Sequence, residues 1–205
     1  MTPLQINTRR KSMNPIYERI SPEEIFIDER ELWARLGGIG ALDDGKIREV
    51  VSEISSVMSA SFVADELTVA VNNGSCISTD RLIIAGASFA KIAGGCHRII
   101  AVAATLGAGV DYLIRKKSAI SVAEGFIFDA VASAMVEGLV NLATVRLTLG
   151  REHTGRFSPG YGDMPLDLQG DIINLLDAGR RLGLTLSEAK MMLPQKSVTA
   201  LIGIK

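Results

Sequence analysis

Residues Arg156-Phe157-Ser158-Pro159-Gly160-Tyr161-Gly162-Asp163 place a permanent cation, a Pro-Gly corner and an aromatic ring inside one short stretch of chain. The Arg156 guanidinium is a planar fork of donors suited to a carboxylate. Pro159 fixes one backbone angle, and Gly160 lets the backbone come close to a bound group. Together they can cradle a small zwitterionic ligand. The same composition also suits a solvated Pro-Gly turn carrying a surface arginine, and the octapeptide alone leaves both readings open.

Other reactive residue types lack a constellation. Cys96-His97 are sequence neighbours, which on an extended segment point to opposite faces and cannot pair as nucleophile and base. His153 sits beside Arg151 and Glu152 and reads as a solvated loop histidine. Asp129 and Glu137 fall close to one face of a helical stretch; they can act as an acid and base pair or serve structure, and the structural role is the expectation. Two histidines and two scattered cysteines, Cys76 and Cys96, do not make a zinc site. Gly94-Gly95 and Gly107-Ala108-Gly109 lack the spacing and the lysine of phosphate-binding loops.

Charge and length narrow the classes further. The 205 residues carry 22 basic and 23 acidic side chains, a net charge of −1 with no long block of either sign, so no footprint for nucleic acid or an anionic membrane is present. At 47% hydrophobic, the chain is long enough for one well-buried domain. The start lacks a basic segment followed by an apolar core, and the cysteines show no disulfide pattern, so a cytoplasmic location is expected. The longest weakly polar stretch is read as Ile99 to Gly109, too short to span a bilayer, and no membrane segment is expected.

The elements that must position the loop follow from periodicity. Residues 1–22 read as an arm lying on the surface, and 23–205 as a single domain. Ile25-Phe26-Ile27 is predicted as a short strand, with Asp28 capping a helix over 29–36 that stops at Gly37 and Gly38. A helix is predicted from Asp43 or Asp44 to about Phe62, with Ile47, Val50, Val51, Ile54, Val57 and Met58 as its buried stripe. Leu67–Val71 and a second short run flank Asn73-Gly74 in a hairpin. A short helix over Ser88–Ala93, a buried strand over Arg98–Ala104 ended by Gly107, and helices over Val110–Lys116 and Val122–Leu149 come next. Beyond the loop the pattern predicts one helix over Asp167–Arg181, then strands over Glu188–Leu193 and Ser197–Ile204 joined through Pro194-Gln195-Lys196. Hairpins and helices without strict alternation give an α+β fold with a mostly antiparallel sheet and packed helices.

The loop, followed by Pro165-Leu166-Asp167-Leu168-Gln169, Leu182-Gly183-Leu184-Thr185-Leu186-Ser187 and Met192-Leu193-Pro194-Gln195-Lys196-Ser197-Val198-Thr199-Ala200-Leu201-Ile202-Gly203-Ile204, resembles the C-terminal part of the activation domain of cobalamin-dependent methionine synthase. A weaker match covers Ala103-Ala104-Thr105-Leu106-Gly107, Val110-Asp111, Asp129-Ala130 and Glu137, so the resemblance spans roughly residues 85 to 204. It implies a methionine synthase activation domain-like fold and an Arg-x-x-Pro-Gly-Tyr loop lying against S-adenosylmethionine. Arg156 would then meet the carboxylate, the Ser158 backbone the adenine edge, Gly160 the corner, and Tyr161 would wall the pocket. Asp28 stands where some family members place an acid for the ligand's ammonium group, although it also reads as an ordinary helix cap.

The resemblance further implies reductive methylation of cob(II)alamin, with the electron supplied by a donor such as flavodoxin. The chain has neither an Asp-x-His-x-x-Gly cobalamin segment nor a zinc-thiolate site, so cobalamin is expected only through a partner methionine synthase chain. The longer family members continue past the position of Lys205 into further ligand contacts. A second reading therefore stands beside the first: a non-catalytic interaction subunit of a corrinoid or methyltransferase system that no longer binds S-adenosylmethionine.

Overall fold

The computed structural model describes residues 15–37 and 44–205. Its strands are β1 (Ile16–Arg19), β2 (Ser61–Asn72), β3 (Cys76–Thr79), β4 (Ile83–Ala85), β5 (Arg98–Thr105), β6 (Thr185–Leu186), β7 (Met192–Leu193) and β8 (Ser197–Ile204). The helices are α1 (Glu29–Leu36), α2 (Asp44–Val57), α3 (Ala87–Ile92), α4 (Ala108–Ile120), α5 (Val122–Thr148), α6 (Leu168–Leu175) and α7 (Ala178–Leu182). The main sheet runs β4-β3-β2-β5-β8, with β1 also on β2, and all its pairings are antiparallel. The fold is α+β.

β5 shows why the sheet is central. It is paired along its whole length to β2 on one edge and β8 on the other, and both faces are covered. Ile100, Val102 and Ala104 join a core with Ile54, Phe128, Met135 and Leu139, whereas Ile99, Ala101 and Ala103 join a second core with Phe89, Ile172 and Leu176. A strand covered on both faces reads as an unbroken apolar run, because neither half of its two-residue period meets water. Helices α1, α2, α4 and α5 thus lie over one face, and α3, α6 and α7 over the other.

α5 is largely apolar and buried on most of its circumference, with Asp129, Ser133, Glu137 and Asn141 falling on its one polar stripe. One 18-residue window reaches a mean hydropathy of 1.5, so by length and composition α5 can cross a membrane, yet 67% of that window is buried within the molecule. It exceeds Ile99–Gly109, the stretch first read as the longest weakly polar one. Packed on α1, α2 and α4, it is the spine of the first core.

Several expectations change in the structure. Part of the expected arm, Ile16–Arg19, is a strand on β2, with Ile20 buried behind it. Residues 1–14, Gly38 and Asp43 lie outside the described residues. Ile25–Ile27 is not a strand: it forms no ladder with any described strand and crosses α5 as an irregular strap. The second helix stops at Val57, because Ser59 already bonds back to Leu106 and Phe62 belongs to β2. The expected helix over Asp167–Arg181 is broken at Asp177, which takes a left-handed φ of 52°. Residues 188–191 turn rather than extend, with Lys190 at φ 60°, so β7 pairs with β6 and β8 returns to β5.

Candidate functional site

The Arg156 loop begins as an extension of the sheet. Residues 152–157 run along the outer edge of β8: Thr154 N–H donates to Gly203 O at 2.9 Å, and Phe157 and Leu201 exchange two bonds at 2.9 and 2.8 Å. Alternation along this extended segment then separates the neighbours. Phe157 turns to the α3 side and meets Phe89, ring centroids 5.5 Å apart, while Arg156 turns towards α5.

There Arg156 Nη2 donates to Glu137 Oε2 at 2.9 Å, with the two side chains 23% and 30% exposed. Its other terminal nitrogen, Nη1, is shielded from solvent and has no hydrogen-bond partner among the described residues. An unsatisfied buried donor on a charged group costs about 1–3 kcal/mol or more, a deficit that a carboxylate would remove. Half of the fork is paired and half is unpartnered. This observation fits the residues to an anionic ligand group.

Beyond Phe157 the chain turns sharply. Tyr161 N–H donates to Ser158 O at 3.2 Å, Gly160 N–H to Met164 O at 3.0 Å and Met164 N–H to Tyr161 O at 3.0 Å. Gly160 has φ 88°, a conformation side-chain-bearing residues rarely adopt, and this is the physical need for glycine at the corner. The Ser158 N–H donates to no described residue, and Tyr161 is 69% exposed, a flat aromatic wall standing free of the core.

Asp163 closes the loop. Its Oδ2 accepts from Ala87 N–H at 2.6 Å and its Oδ1 from Ser88 N–H at 3.0 Å. These donors, Ser88 foremost, hold its carboxyl below the usual carboxylate range.

Asp28 is the N-cap of α1, its Oδ1 accepting from Arg30 N–H at 2.9 Å and Glu31 N–H at 3.4 Å. Its contacts are with its own helix, so the cap geometry is what the structure shows for it. The strap that carries it crosses α5 at Gly138: a Cβ there would stand 2.3 Å from Phe26 O, so only glycine admits so close a crossing. α5 thereby relates the strap, through Gly138, to the Arg156 loop, through Glu137.

The remaining candidates separate. Asp129 and Glu137 do not pair; Asp129 meets Lys196 at 2.8 Å while Glu137 meets Arg156. Cys96 is buried and His97 exposed, and burial pushes the Cys96 thiol up, away from the nucleophilic thiolate. His153 is exposed, its Nδ1 2.8 Å from Thr154 O. No group of three or more His, Cys, Asp or Glu able to hold a metal occurs among the described residues. Concavities of about 510 Å³, bounded by Ala64, Ile100 and Arg146, and about 350 Å³, bounded by Asp111, Arg115 and Gln195, lie away from the loop. Neither is lined by any residue of the Arg156–Asp163 loop.

Sequence reasoning missed Glu137 as the partner of Arg156 and gave Asp163 no role. A signal for the first existed: Glu137 is the only charged residue between Asp129 and Arg146 on an otherwise apolar helix.

These features define a small α+β domain that presents a half-satisfied arginine on a glycine-cornered loop. No protein-family model and no curated protein sequence matches the chain. Among solved structures it is similar to the MetH reactivation domain bound to AdoHcy, with a TM-score of 0.72 over 95% of this chain and 79% of that one, at 15% sequence identity. The chain has the fold of that reactivation domain.

Proposed function

We propose that this chain binds S-adenosylmethionine at the Arg156 loop and serves as an activation module for a cobalamin-dependent methionine synthase chain. The observation that carries this reading is the unpartnered, solvent-shielded Nη1 of Arg156, in a fold whose solved neighbour is bound to AdoHcy. Arg156 would take the ligand's carboxylate, the unpaired Ser158 N–H the adenine edge, and Tyr161 one face of the pocket; Asp28, on the strap, is the acid proposed for the ammonium group. S-adenosylmethionine, when bound, supplies an electrophilic sulfonium methyl to the cobalamin of the partner chain, reduced by a flavodoxin-like donor, and leaves as S-adenosylhomocysteine. The protein's own part is orientation and exclusion of water, with no general acid or base.

A second reading rests on a different feature of the same pair. Glu137 already neutralises Arg156. If that pair stays closed to ligands, the chain is a non-catalytic interaction subunit of a corrinoid or methyltransferase system. Calorimetric titration with S-adenosylmethionine and S-adenosylhomocysteine separates the two. The first reading expects saturable binding of both and restored methylation when the chain is mixed with a methionine synthase lacking its own activation domain. Absence of heat at millimolar ligand would leave the second.

A further inference from the structure

The segment that carries Ser158, Gly160 and Tyr161 is bracketed by two anchors, and both belong to one short helix. At its start, Phe157 packs on Phe89 of α3 with the ring planes at 37°. At its end, Asp163 takes the amides of Ala87 and Ser88, which open α3 and have no partner within the helix. The approach is close enough to dictate residue type on the α3 side: Gly86 sits at φ 125°, and a Cβ there would lie 3.2 Å from Met164 Cα. Gly86 N–H in turn donates to Ser75 O at 3.1 Å, so the β3–β4 hairpin holds the helix that holds the loop. Asp163 touches neither Arg156 nor Tyr161 through its carboxylate, and no catalytic role follows for it.

We infer that Asp163 is the positioning residue of the ligand loop, a latch that fixes Ser158, Gly160 and Tyr161 by seating their turn on the first residues of α3. This rests on the reading of the loop as a ligand cradle. A loop held in its binding shape before the ligand arrives loses less conformational freedom on binding, and by reciprocity a ligand seated on the loop tightens the latch. A carboxylate held below its usual range by those amides is the electrostatic counterpart of the same contact.

The test uses the full chain as wild type, Asp163→Ala, Asp163→Asn and Arg156→Ala, with S-adenosylhomocysteine as the probe. Without ligand, the amides of Gly160, Tyr161 and Met164 should exchange with solvent about tenfold faster in Asp163→Ala than in wild type, while those of β5 keep their protection. Asp163→Asn, which keeps one acceptor, should fall between and remains informative should the alanine variant fail to fold. With ligand, Asp163→Ala should bind about tenfold more weakly, and the Ala87 and Ser88 amides of wild type should become more protected. Unchanged loop exchange in a folded Asp163 variant overturns the latch. So does a wild-type dissociation constant in that variant when Arg156→Ala has lost binding. A wild type that does not bind the probe overturns the cradle reading instead, while the ligand-free exchange still decides whether Asp163 sets the shape of the loop.

Discussion

Arg156 carries one paired and one unpartnered arm, and each arm makes its own prediction. Arg156→Ala should weaken S-adenosylmethionine binding by about 1.5–3 kcal/mol, as for a charged hydrogen bond, with little loss of fold stability, since its ion-pair partner among the described residues is the partly exposed Glu137. Lysine at the same position should recover only part of the loss, because a point charge does not reproduce the fork. An unchanged dissociation constant by calorimetry would remove Arg156 from the site. Glu137 meets Arg156 through one terminal nitrogen, and on the cradle reading that bond orients the unpartnered one. Glu137→Leu should therefore cost about 1 kcal/mol of binding through lost orientation, whereas Glu137→Gln, which keeps an acceptor, should cost less. Equal losses in the two variants would mean that charge rather than orientation is what Glu137 contributes.

Among the elements, the loop between the β8 edge and α6 gains its shape from neighbours on both sides of the sheet. Gly160 tests whether that shape serves a ligand or only a turn. Valine there meets a φ of 88°, a strained conformation for a β-branched residue, although the nearest side-chain atom, Leu166 Cδ1 at 3.3 Å, can move aside. The expected stability cost is about 1–3 kcal/mol. If the loop is a cradle, binding falls further than this cost explains. The measurement is the thermal midpoint with and without S-adenosylmethionine, because a ligand that binds only the folded state raises the midpoint by mass action. A Gly160→Val protein that keeps the wild-type ligand-induced rise would take this corner out of the site.

For the whole molecule, the six-stranded sheet is the common reference for the loop and the helices around it, and β2 carries a buried charge away from the loop. Asp65 on β2 is 5% exposed and is neutralised by Arg81, whose Nη1 lies at 2.5 Å and whose Nη2 also reaches Glu66 O at 3.0 Å. Removing the cation strands a buried carboxylate. Arg81→Ala should cost about 3–5 kcal/mol of stability, read as a lower urea midpoint, and leave the ligand dissociation constant of the folded fraction unchanged. A change in affinity at constant stability would show that this pair communicates with the site.

Local chemistry was legible wherever one segment settles its own conformation. The Asp28 cap and the Gly37 stop of α1, the Asn73-Gly74 hairpin and the apolar run of β5 follow from side-chain acceptors, tolerated positive φ and two-sided burial, and each stands in the structure. So does the α+β class, since the order of hairpins and helices excludes strict alternation. The rest required partners from distant sequence. Ile25–Ile27 has the composition of a strand but no edge to join, and Ile16–Tyr17, unremarkable in sequence, finds one on β2. Asp177 breaks a helix that its neighbours' periodicity would continue. At the site, residue types alone marked Arg156 and the Pro-Gly corner. That Arg156 meets Glu137 across 19 residues of chain, and Asp163 meets Ala87 and Ser88 across 76 and 75, was decided by the tertiary structure alone. A side chain's type sets which bond it can make, whereas the packing of α5 and α3 on opposite faces of one sheet sets which partner is within reach.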